Sequence, residues 1–285
     1  MQPYRYIDSH CHLDAGEFAH DCIQMRERAR SQGVDLCLIP AVDRNNFELV
    51  RNTAHSFKDV YALGIHPLYT LDALEDDLIL LHRHLKAHSD SSALHERLVA
   101  VGEIGLDGFE KSLDWSRQVH FFEAQLKLAQ LFDLPVVLHV RQAVDFVLKG
   151  LRKYKVRGGI AHAFNGSLQQ AEHFIDMGFK LGFGGAVTYP RALHLRRLVQ
   201  QVPAESIVLE TDSPDIVPNW LYVNAQDRAQ GRVQGRNEPA ELPKIASQIA
   251  EIRGENLQTL MEQSTLNFFA ALSLDINEFK DKNQY

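Results

Sequence analysis

Short apolar runs recur along the chain, at Tyr6–Asp8, Val34–Ile39, Val60–Leu63, Leu98–Val101, Val136–Leu138, Gly159–Ala161, Lys180–Phe183 and Ile207–Leu209. Runs of this length that do not alternate with polar residues read as strands buried on both faces. The segments between them carry a different period. Leu71, Leu74, Leu78, Leu81 and Leu85 recur at three- and four-residue steps, as do Trp115, Val119, Phe122, Leu126 and Ala129, which is the apolar stripe of a helix. Strand-then-helix alternation predicts a parallel sheet, and eight such units predict an α/β fold, a (β/α)8 TIM-type barrel. After the eighth run comes a long polar segment, Ile216 to Glu238, and then two further helical stretches. Leu242, Ile245, Ile249 and Ile252 line the first of these and Gly254 stops it. The expectation is a barrel with additional C-terminal helices, one domain over residues 1–285, with no linker-like shift in composition.

Composition changes this picture little. The chain has 285 residues, 45% of them hydrophobic, and α/β barrels of ~250 residues form one domain. No apolar run reaches the ~18 residues a membrane span needs. The opening MQPYRYIDSH has no apolar core of a secretory signal. Cys11, Cys22 and Cys37 are odd in number and form no CxxC, which suits a reduced, cytoplasmic protein. A net charge of −7 argues against a broad basic nucleic-acid surface, so a polyanionic substrate would have to be held locally.

Candidate chemistry gathers at the downstream ends of the strands. His10 and His12 follow the first run, Glu103 the fourth, His139 the fifth, His162 the sixth and Asp212 the eighth. In a barrel that end builds the active site, and imidazole with carboxylate suits a divalent ion. Each residue alone is weak. With 14 His in the chain, roughly 0.7 His-x-His pairs arise by chance. His82-x-His84 is such a pair, placed on a predicted helix, where residues two apart diverge and a solvated face is expected. His10 and His12 sit instead at a strand end, where residues two apart share a face; Cys11 would then point back into the helix layer as packing. Shared address on five strands is the strong signal.

The segments SHCHLD, GIHP, VGEIGLD, LPVVLHVR, AHAFNGS, ETDSP and RNEP occur in an order that resembles TatD-family metal-dependent deoxyribonucleases, which are amidohydrolase-like (β/α)8 barrels. The motifs span residue 7 to about residue 240, and SLQQAEHF and TYPRA are most similar to the YjjV-type subgroup. The resemblance implies that His10, His12, Asp212 and Glu103 hold one metal. It implies that His139 and His162 hold a second, with Glu103 bridging, and that His66 and Arg141 lie near the substrate phosphate. Leu68, Ala163 and Asn165 depart from the pattern of many relatives. None of these changes removes a proposed ligand, and all bear on substrate preference.

The expected reaction is hydrolysis of a phosphodiester, in DNA above all, by two divalent ions and an activated water, with Asp212 as ligand and proton acceptor. Mg, Mn, Zn or Ni would each suit the mixed donor set. Arg228, Arg232 and Arg236 on the long segment would form a phosphate-facing rim, with Asn237 beside them. No obligate protein partner and no membrane are expected. Two other readings stand: an amidohydrolase-type enzyme for a small amide, ester or lactone, and a non-catalytic metal-binding barrel. Two-metal members of the wider group often bridge their ions with a carboxylated Lys; Glu103 at that strand end favours the nuclease-like branch.

Overall fold

The structure, a computed structural model, describes residues 5–91 and 95–277; the ends of the expected 1–285 domain lie outside them. Eight parallel strands form one sheet in sequence order: β1 (Tyr6–Asp8), β2 (Val34–Pro40), β3 (Val60–Leu63), β4 (Leu98–Asp107), β5 (Val136–Arg141), β6 (Gly159–Ala161), β7 (Phe179–Phe183) and β8 (Ile207–Leu209). The helices between them are α1 (Cys22–Ser31), α2 (Phe47–Phe57), α3 (Glu75–Ser89), α4 (Trp115–Leu131), α5 (Val144–Lys153), α6 (Leu168–Asp176) and α7 (Leu193–Gln201). The long segment after β8 contains one short helix, α8 (Ala225–Ala229), and the chain continues through α9 (Leu242–Arg253) and α10 (Leu257–Ala271). Local signals agree with these limits. Ser167 and Gln170 close a capping box at the start of α6, and Gly254 ends α9 in the left-handed conformation.

Three expectations change. The leucine stripe over-reached: α3 begins at Glu75, because the Asp77 carboxylate accepts the Leu74 N–H at 2.9 Å, and Leu71 and Leu74 remain exposed. His82 and His84 are not a solvated face. His82 packs edge-on to Phe132, and His84 packs edge-on to Phe47 and bonds the buried His95. Strands β4 and β5 run past their apolar cores, because they pair with each other as far as Asp107↔Arg141. Their register slips between Val101 and Ile104, an irregularity that re-aims the side chains there. Gly105 makes the resumed pairing possible: its φ is +152°, and a Cβ would lie 1.9 Å from the His139 carbonyl oxygen.

The barrel is filled by Ile7, Leu38, Ala62, Ala100, Val137, Ile160 and Val208, and a second apolar layer lies between strands and helices. Cys11 belongs to that outer layer, buried, as expected for packing, although it lies past the end of β1 and on the opposite layer from Ile7 of equal parity. Between β8 and β1 the ring closes in two ways. At the strand C-termini, Ser9 N–H donates to Leu209 O at 2.9 Å and Asp212 N–H to His10 O at 2.9 Å. Lower down, α10 fills the seam: the Ser264 hydroxyl accepts Leu209 N–H at 3.1 Å, and the Asn267 amide donates to Ala204 O and Ile207 O, each at 2.7 Å. Phe268, Phe269 and Leu272 follow into the barrel's inner cluster at the end opposite the strand C-termini.

Asn267→Ala would leave two buried carbonyls without their donor, at about 1–3 kcal/mol of stability. A denaturant titration should show the midpoint falling with the slope unchanged. A loss below about 0.5 kcal/mol, the range of an ordinary surface substitution, would mean that Asn267 does not hold the seam.

Candidate metal centre

Glu103 lies at the centre of the barrel mouth, where the register of β4 slips, and is buried. Its two carboxylate oxygens face different groups. Oε2 lies 3.2 Å from His10 Nε2 and 3.7 Å from His12 Nε2. Oε1 lies 3.0 Å from His162 Nε2, 3.2 Å from His139 Nδ1 and 3.4 Å from His66 Nε2. Asp212 closes the first group, with Oδ1 3.5 Å from His10 Nε2 and 3.8 Å from His12 Nε2. It does so from a left-handed backbone, φ 52°, that Asp tolerates better than most residues. The structure thus brings together His10, His12, Glu103, His139, His162 and Asp212.

Ring orientation separates ligand candidates from a donor. His139 turns Nε2 to the Asp107 carboxylate at 3.0 Å, which assigns its proton there and leaves the Nδ1 lone pair facing Glu103. His66 is turned the other way. Its Nδ1 accepts the Leu68 N–H at 3.2 Å, so its proton sits on Nε2. His66 therefore presents an N–H to the mouth, suited to an anionic oxygen rather than to a cation.

The donor set fits divalent ions. Candidate ligand atoms fall in three overlapping groups, His10–His12–Asp212, His10–Glu103–His162 and His66–Glu103–His139, each within 4.8 Å. Glu103 Oε1 is buried and satisfies no hydrogen bond, although three imidazole nitrogens stand around it. A buried carboxylate oxygen left so is costly unless a positive charge lies beside it, a protonated imidazole or a bound metal.

Electrostatics divide the two carboxylates. Burial alone would raise Glu103, yet the imidazoles of His162, His66 and His10 hold it well below the ordinary range, so it stays ionised. Burial raises Asp212, against the pull of His162 and His12. Burial also lowers His10 and brings His66 down to about 4, so both rings are neutral. His162 differs: burial opposes its charge, but Glu103 and Asp212 push it up to about 10.

Three supporting carboxylates were not singled out in the sequence. Asp107 ends the VGEIGLD segment and orients His139. Asp8 is buried between β1 and β8, accepting from the Thr211 hydroxyl at 2.6 Å, Thr211 N–H at 3.0 Å and His10 N–H at 3.3 Å. Glu210 is buried beside His162, its Oε1 3.9 Å from Nδ1 and accepting Ala163 N–H at 2.6 Å. It occupies space that Gly182 leaves open: a Cβ there would lie 2.0 Å from Glu210 Oε2. Each sits at a two-residue step from a ligand candidate or its strand-mate, Asp8 before His10, Glu210 before Asp212, and Asp107 beyond Glu103 and Gly105. Strand periodicity was the signal that could have found them.

The long segment does not present its arginines as a phosphate rim. Arg236 grips Asp21 through both terminal nitrogens, each at 2.7 Å, and also reaches Glu17 O and Glu238. Arg232 pairs with Asp227, and Arg228 with Val223 O and Gln234. Asn237 is fully buried, its amide donating to Thr211 O at 2.9 Å and Asp215 O at 2.6 Å. Arg236 and Asn237 thus make structural contacts within the chain: the guanidinium meets the nearer carboxylates, and Asn237 braces the turn that carries Asp212. Arg141 remains at the mouth, half exposed, 3.8 Å from Asp107.

A parallel barrel with imidazoles and carboxylates converging at its strand C-termini defines a metal-dependent hydrolase. The family model for the TatD related DNase matches residues 7–273, and the chain belongs to that family. It is 37% identical over 256 residues to the uncharacterized metal-dependent hydrolase YjjV of Escherichia coli K12, covering 88% of this chain and 91% of that one. It is 31% identical to the 3'-5' ssDNA/RNA exonuclease TatD of Klebsiella pneumoniae, covering 95% and 99%. The crystal structure of the Escherichia coli YjjV protein, a TatD homolog, superposes with a TM-score of 0.85 at 34% identity, over 96% of this chain and all of that one.

The raised His162 sets the sign of a pH effect. Below about 10 this ring carries a proton when no cation competes, and a ligand must lose it. Affinity for Zn2+ or Mn2+ should therefore rise with pH from 6 to 8, by up to about tenfold per unit for one proton released. Glu103 and His10 add no proton release, being already ionised and neutral, whereas His139, raised against its burial by Asp107 and Glu103, and Asp212, raised by burial, can add to it. Calorimetry in buffers of different ionisation enthalpy reads the number of protons directly; a value of zero at pH 7 removes His162 from the ligand set.

Proposed function

We propose that this barrel, acting as one domain, hydrolyses phosphodiester bonds of DNA with two divalent ions, and that single-stranded DNA is its substrate form. The observation that carries this reading is Glu103. Its two oxygens face two separate imidazole groups, as a carboxylate shared by two cations would. His10, His12 and Asp212 would hold the first ion together with Glu103, and His139 and His162 would hold the second. The name of the Klebsiella pneumoniae relative, a 3'-5' ssDNA/RNA exonuclease, supports nucleic acid over a small amide or lactone. Cys11, Cys22 and Cys37 are free thiols, which supports a reducing, cytoplasmic setting.

Mg, Mn, Zn or Ni, when bound, would supply Lewis acidity to a phosphoryl oxygen and to water. The chain's own residues do the rest. His66 donates from Nε2 to a non-bridging phosphate oxygen, and Arg141 reaches the same side from the end of β5. Asp212, whose proton affinity is raised by burial, accepts the proton of the attacking water through the oxygen turned from His10. Asp107 keeps the His139 lone pair on the ligand side throughout.

Asp212→Asn retains the size and one oxygen but accepts no proton. We expect kcat on labelled single-stranded DNA to fall on the order of 10²–10⁴, with folding near native. The assay runs over Mg, Mn, Zn and Ni with a chelator control. Near-native turnover in the variant would end the assignment of Asp212 as base, and turnover that survives chelation would end the metal mechanism.

A further inference from the structure

One side of the mouth carries an aromatic surface that the fold does not use. Phe109 stands just past β4 with 49% of its surface exposed and belongs to none of the apolar clusters. Arg141, the last residue of β5, lays its guanidinium over the ring, 3.8 Å from the centroid, and is itself half exposed. The backbone beneath them is fixed. Asp107 Oδ1 accepts the N–H groups of Phe109 and Glu110 at 2.8 and 2.9 Å, and Gly108 N–H donates to Arg141 O at 2.7 Å. The other oxygen of Asp107 holds His139. One carboxylate therefore ties the ring, the guanidinium and a ligand imidazole into a single rigid unit.

Acidic groups stand on both sides of the mouth. Asp14, Asp43 and Asp215 gather near Tyr69, on the side of β1, β2 and β8. On the side of β4 and β5, Glu110 and Asp107 are accompanied by Arg141 and Lys111, so a polyanion approaching the centre finds a positive partner there. A strand led across that side passes over Phe109. Rigid aromatic faces beside a basic group are how proteins hold unpaired bases, with little regard to base identity.

We propose that Phe109 and Arg141 form a stacking platform for the nucleobase next to the scissile phosphate, the ring meeting the base and the guanidinium edge meeting the phosphate. This rests on the nuclease reading above and gives it a substrate form: bases in a duplex keep their faces covered, so only a single strand can use the platform. It also assigns binding to a residue, Phe109, that contributes no metal ligand.

The test compares Mn2+-loaded wild type, Phe109→Ala and Phe109→Trp on two labelled single strands. One is normal, and the other is abasic around the cleavage site. The wild type should show a lower KM for the normal strand. Phe109→Ala should raise that KM about 5- to 50-fold and leave the abasic KM unchanged, and Phe109→Trp should restore it. Manganese content equal to wild type keeps the comparison to binding. If Phe109→Ala affects both strands equally, or neither, the platform is refuted while the nuclease reading stands. If wild type cleaves neither strand yet hydrolyses a small phosphodiester, the nucleic-acid reading falls and takes the platform with it.

Discussion

An ionised carboxylate, Glu103, sits buried in the mouth of the barrel, and much of the molecule is arranged around it. Removing such a charge from water is expensive unless it is paired and solvated by protein groups. Four imidazoles approach it within 3.4 Å, from β5 and from the turns after β1, β3 and β6. Those contacts need strands whose C-termini lie level and close. The slipped register of β4 supplies the position, Gly105 lets β5 lie against it, and the β1–β8 seam brings His10 beside Asp212.

The supporting carboxylates show the same logic one step out. Asp107 fixes a tautomer, Asp8 stitches the two strands that carry His10 and Asp212, and Glu210 lies against His162 in space reserved by a glycine. Burial pushes Asp8 to about 7 and Glu210 to about 8, while Glu103 is held down by its imidazoles. Carboxylates a few residues apart thus differ in protonation because of their neighbours: Glu103 and Asp107 are held ionised, against their burial, by the groups around them, while Asp8 and Glu210 are pushed up. Such separation of like groups is typical of sites built for proton transfer.

The strands were legible because each is a short unbroken apolar run, and the ligand candidates because they follow those runs. His139, His162, Glu210 and Asp212 keep the parity of the inward-facing Val137, Ile160 and Val208, whereas His10 and Glu103 stand three residues beyond the inward-facing Ile7 and Ala100, past the end of β1 and after the register slip of β4, where parity fails. What could not be read was pairing across distance. Arg236 meets Asp21, Arg28 meets Glu238, and Asn267 meets the start of β8, contacts set by how the ends of the chain wrap the barrel. Arg236, expected at a phosphate, is paired here with Asp21 and Glu238, contacts that its position in the sequence did not indicate. The leucines at 71 and 74 continued a helical period by chance, and one capping bond from Asp77 decided where the helix began.

The central claim is that Glu103 lies between two cations. Anomalous diffraction from crystals soaked in Mn2+ or Zn2+ tests it without reference to any substrate. The account predicts two peaks, one beside each Glu103 oxygen: the first among His10, His12 and Asp212, the second between His139 and His162, with none on His66. A single peak at saturating metal, or density centred on His66, would contradict it.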